Sequence, residues 1–98
     1  MAKKKYPPIK PGYVVNKRHY TVTFTDEIAG RPDVLGECHH EPPIILLKSK
    51  QSEKEVFSTL IHELVHVFDF EYDINLTETQ VQKLEKAVIR FLNKNQLI

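Results

Sequence analysis

Two helix starts in the C-terminal half constrain this chain more than any other feature. Ser52-Glu53-Lys54-Glu55 and Thr77-Glu78-Thr79-Gln80 each spell a capping box. In that arrangement a hydroxyl residue caps the helix, and an acid or amide three places on reaches back to it. Behind the first box, Val56, Phe57, Leu60, Ile61, Leu64, Val67 and Phe68 make a broad apolar face. Behind the second, Val81, Leu84, Val88 and Phe91 keep helical spacing, and Leu76 and Val81 are placed to act as a hydrophobic staple. The spacing predicts helices over about 53–70 and 78–94, separated at "EYDINL". An amphipathic pair of this kind needs another layer to cover it, and the first half of the chain must supply it.

That half reads as strands. "KRHYTVTFT" at 17–25 alternates, with Tyr20, Val22 and Phe24 on one face and threonines on the other. "VLGECHH" and "IILLKS" predict two short strands joined around "EPP", where Pro42 and Pro43 cannot donate ladder hydrogen bonds and so belong to a connection or an edge. The expected order is β-β-β-α-α: an α+β fold with a small three-stranded antiparallel sheet followed by two helices. Residues 1–12 hold Pro7, Pro8, Pro11 and four lysines, which predicts a flexible basic arm ahead of a single domain over 13–98. A chain of 98 residues buries roughly 60–70% of its unfolded surface, enough for one modest core.

Composition narrows the class. No apolar run approaches the ~18 residues of a membrane span, so no membrane role is expected. Cys38 is the single cysteine and cannot form an internal disulfide. The leading lysines are followed by no apolar core of the secretory kind, so the expectation is a cytoplasmic protein. Net charge is +1, but unevenly spread: residues 1–18 carry six basic and no acidic side chains, whereas residues 53–78 carry seven acids against Lys54. An acidic helical region suits a cation or a basic peptide and disfavours nucleic acid there.

Within the first helix, "HELVH" sets His62 and His66 one turn apart with Glu63 beside them. At 100° per residue His66 falls about 40° from His62 and Glu63 about 100°, on a polar stripe flanked by the apolar face. Two imidazoles so placed can bind one ion, and a glutamate next to them can hold a zinc-bound water and take its proton. This is the H-E-x-x-H pattern of zinc peptidases. The string is short enough to arise by chance; its weight comes from lying on a capped amphipathic helix with all three residues on one stripe. A catalytic zinc takes three protein ligands. Asp69 sits ~10 Å along the axis from His62, too far to share the ion, and Glu71 points into the apolar face. Glu78, the first residue of the second helix, is the favoured third ligand. His39 and His40 of "GECHHE" are the rivals, and Cys38 suits a buried filler better than a ligand.

"LIHELVHVFDFEY" followed by "LTETQVQKLEKAVIRFL" resembles the small ImmA/IrrE-like zinc metallopeptidases of gluzincin type, especially the short phage and prophage proteins of that group. The resemblance covers about residues 13–94 and is closer over the helices than over the strands. The family's downstream glutamate opens an E-x-x-A-x-x-F pattern, and Glu78, Val81 and Leu84 stand in its places here. The resemblance implies a minimal zincin-like fold, Zn2+ as cofactor, His62, His66 and Glu78 as metal ligands, and Glu63 as the catalytic acid/base. It implies a small zinc metallopeptidase acting on a protein or peptide. The larger members, which cleave repressors, often carry a helix-turn-helix domain that these 98 residues lack. SprT-like proteases share H-E-x-x-H but use a third histidine downstream, and no histidine follows His66.

In the peptidase reading a second oxyanion donor is needed besides zinc, with His39, His40 and Tyr72 as candidates. The strand at 43–48 is expected to pair with an extended substrate. The rival readings are a binding or regulatory module around a closed structural zinc, and a metal-dependent nuclease that uses the basic arm.

Overall fold

The computed structural model describes residues 6–98, and the lysines at 3–5 lie outside them. Four strands precede two helices: β1 (Gly12–Val15), β2 (Arg18–Thr25), β3 (Gly36–His40), β4 (Pro43–Lys48), α1 (Glu53–Glu71) and α2 (Glu78–Lys94). The class is α+β, as the alternating and then helical patterns predict.

The sheet corrects the expectation of three antiparallel strands. It is four-stranded and mixed, in the order β1-β2-β4-β3. β1 pairs antiparallel with β2 through a turn at Asn16 and Lys17, both at positive φ. Two consecutive positive-φ residues give the mirror-image turn whose twist suits a two-residue hairpin. β2 pairs parallel with β4, and β3 folds back antiparallel on the outside of β4. The strand at 43–48 is therefore interior, with both ladders taken, and the free edge on that side belongs to β3. Pro43 opens β4, a position that tolerates a missing amide donor.

Register sets what each face carries. Tyr13 and Val15 of β1, Tyr20 and Val22 of β2, and Ile45 and Leu47 of β4 share one face. On β3 that face carries Gly36, Cys38 and His40. α1 covers this face, and Val15, Tyr20, Ile45, Leu47, Leu60 and Val67 form the buried core. α2 packs on α1 and not on the sheet, and its one buried residue is Val81. Among residues 6–11, Ile9 packs against the core, Tyr6 lies 5.4 Å from the ring of Phe57, and the Pro11 carbonyl accepts from Val22. No described helix is long and apolar enough to cross a membrane.

Both helices begin where the capping boxes predict. Ser52 Oγ accepts from Glu55 N and Thr77 Oγ1 from Gln80 N, and each reciprocal bond is present. The reversal between them bends through Asp73 and Asn75 at positive φ, and Asp69 Oδ1 accepts the amide of Leu76 at 2.8 Å. That turn returns Glu78 to the His62 stripe.

Candidate metal centre

α1 presents His62 and His66 one turn apart, with ring centroids 5.0 Å from each other. The first turn of α2 brings Glu78 across them. Its Oε1 lies 3.1 Å from His62 Nε2, and its Oε2 lies 3.2 Å from His66 Nε2. The three residues can each offer a ligand atom within 4.8 Å of one another. Two imidazoles and a carboxylate are a donor set that suits zinc, and three ligands leave the fourth tetrahedral position open.

Glu63 lies beside this trio but is buried, 7% exposed. Close approach of β3 makes that possible. A Cβ on Gly36 would sit 2.5 Å from Thr59 Cγ2 and 3.2 Å from Glu63 Cγ, so only glycine lets the strand come this near the helix. Burial pushes the Glu63 carboxyl up to about 7, against the lowering effects of His62 and of a hydrogen bond with Cys38. The Cys38 thiol is itself pushed up to about 12, by burial first and then by the nearby Glu63 charge. At neutral pH it stays protonated and donates to Glu63.

Comparison with protein-family models, with curated proteins and with solved structures returns no match.

The cleft is open. A cavity of about 550 Å³ is lined by Asp33, Leu35, Gly36, Glu63, Glu78 and Glu85, among others. A second hollow places Arg31, Glu37 and Cys38 around His62, Glu63 and His66. Arg31, the cation of this hollow, pairs with Glu37.

The rival ligands lie elsewhere. Strand alternation turns His39 to the face away from α1, where its Nε2 meets Glu37 at 2.8 Å. His40 faces α1 but beyond His66: its ring stacks on Phe70 at 3.8 Å and its Nδ1 lies 3.1 Å from the Tyr20 hydroxyl. Tyr72 caps the end of α1, where its hydroxyl accepts from the amide of Asn16 at 3.2 Å. None of the three lines either hollow beside the metal-binding trio.

Sequence reasoning missed Glu85. Its Oε1 lies 2.8 Å from His62 Nδ1, and its Oε2 accepts from Ser58 Oγ at 2.8 Å. Its spacing from Glu78 was the available signal. Seven residues are nearly two whole turns, so both carboxylates fall on one face of α2.

Proposed function

We propose that this chain is a small zinc-dependent metallopeptidase with a minimal zincin-like fold, similar to the ImmA/IrrE-like proteins of phages and prophages and working in the cytoplasm. One observation carries the reading: the Nε2 atoms of His62 and His66 both face the carboxylate of Glu78, while a buried glutamate of raised pKa, Glu63, stands next to them.

His62, His66 and Glu78 would hold the ion. When bound, zinc supplies a Lewis acid and a water acidified toward neutral pH. Glu63 takes a proton from the attacking water and returns it to the leaving amine. Burial raises the proton affinity of the Glu63 carboxylate, which favours its taking a proton from water. Cys38, donating to Glu63, helps hold the carboxylate in place.

The free edge of β3 runs past Gly36 and Cys38 beside this group, so an extended peptide adding there as a further strand passes the site. β3 takes the role that the sequence alone suggested for 43–48. Asp33, Glu37, Glu78 and Glu85 give the cleft an acidic lining that repels a phosphodiester, which disfavours a nuclease. A closed structural zinc needs a fourth ligand, and His39 and His40 are engaged elsewhere.

The test is a mixed peptide library digested by zinc-loaded protein and read by mass spectrometry. Wild type is expected to cut in a chelator-sensitive way, and Glu63→Gln to keep its zinc and lose cleavage by at least ~100-fold. Full activity in Glu63→Gln would end this mechanism.

A further inference from the structure

The two histidines of the site are not equivalent. His62 Nδ1 lies 2.8 Å from Glu85, whereas His66 Nδ1 meets no hydrogen-bond partner among the described residues. Glu85 is also more buried than the ligand at the head of its own helix. Its side chain is 18% exposed, against 56% for Glu78. Among the described residues no lysine or arginine pairs with it. A shielded carboxylate without a cation is costly unless hydrogen bonds hold its charge. Here the two come from His62 and from Ser58, both on α1. Ser58 stands four residues before His62 and so lies on the same stripe.

We infer that Glu85 is a positioning residue for the metal centre, acting through His62, with Ser58 fixing Glu85. This rests on the metal-site reading. A neutral imidazole carries its proton on one nitrogen only, and the protonated nitrogen cannot bind a metal. Glu85, 2.8 Å from Nδ1, is the nearer of the two carboxylates on this ring, Glu78 lying 3.1 Å from Nε2, so by accepting Nδ1–H it favours the tautomer that leaves Nε2 free for the metal. It also holds the ring plane, as a carboxylate behind a ligating histidine does. His66 has no such support, so His62 is the preset ligand and His66 the adaptable one.

Two readouts test this, neither of them enzymatic. In metal-free protein, with the imidazoles neutral, nitrogen-detected NMR is expected to show the His62 proton on Nδ1 in wild type and a shift toward Nε2 in Glu85→Ala. In competition with a chelator, Glu85→Ala is expected to bind zinc about 10–100-fold more weakly. Glu85→Gln, whose carbonyl still accepts, should lose less, and Ser58→Ala less again. Circular dichroism checks that each variant folds. If zinc binds wild type and Glu85→Ala equally, or if the His62 proton sits on Nε2 in wild type, the role assigned to Glu85 is wrong while the metal centre stands. If wild type binds no zinc, the metal centre and this role fall together.

Discussion

At the scale of single residues, Glu63 joins stability to pH. In the unfolded chain its carboxyl titrates in the ordinary range, near 4.3; in the folded, metal-free protein it titrates at about 7. The folded state therefore binds this proton more tightly. The resulting stability is fully present below the unfolded value and is lost as pH rises toward and past 7. The span corresponds to roughly 4 kcal/mol. Metal-free wild type is expected to lose stability to urea between pH 5 and 8. Glu63→Gln, which has nothing to ionise, should show a flatter profile over that range. Equal slopes would mean that Glu63 is not held protonated. His62, Glu63 and His66 were legible in the sequence because helix geometry converts spacing into direction, and Glu78 because a capping box marks the start of its helix after the reversal. Glu85 was only half legible: its spacing from Glu78 puts both on one face of α2, but whether that face brings Glu85 to His62 depends on how α2 packs against α1. The swing of His39 away from the helix follows from strand alternation, but only once the register of β3 is known.

At the scale of elements, both helices could be read to within a residue or so, since each carries a capping box. The Thr77 box also orients Glu78, which immediately follows the cap. Thr77→Ala should cost about 1 kcal/mol in denaturant unfolding and should also weaken zinc binding. Ser52→Ala should cost a similar amount while leaving zinc affinity unchanged, because its cap lies nearly three turns before His62. Equal effects on zinc would contradict the link between the second cap and the site. The strands were less legible. β1 is four residues long, and its turn uses Asn16 and Lys17 at positive φ without a glycine to announce it. The parallel pairing of β2 with β4 arises because β3 folds outside β4, a choice made by long-range packing.

At the scale of the whole molecule, a buried ionic knot ties the end of α1 to the sheet. The Glu71 side chain is 5% exposed; Arg18 donates to it at 2.9 Å and the Tyr20 hydroxyl at 2.5 Å. Arg18 also reaches the His40 carbonyl and Glu41, so one guanidinium joins β2, β3 and the turn before β4. Helical spacing put Glu71 on the apolar face, and the two partners from β2 explain how an acid is tolerated there. Glu71→Ala leaves Arg18 and Tyr20 without their shared acceptor and should lower stability by about 2–3 kcal/mol. A loss under about 0.5 kcal/mol in urea unfolding would show that solvent already carries those charges. The knot, the Gly36 approach and the α1–α2 reversal together hold the two histidines and Glu78 within reach of one ion, with Glu63 beside them. The most direct test of that claim is zinc content by elemental analysis of purified wild type and Glu78→Ala. One zinc per wild-type chain, lost or much weakened in the variant, is the predicted result. No zinc in wild type supplied with the metal, or full retention without Glu78, would contradict it.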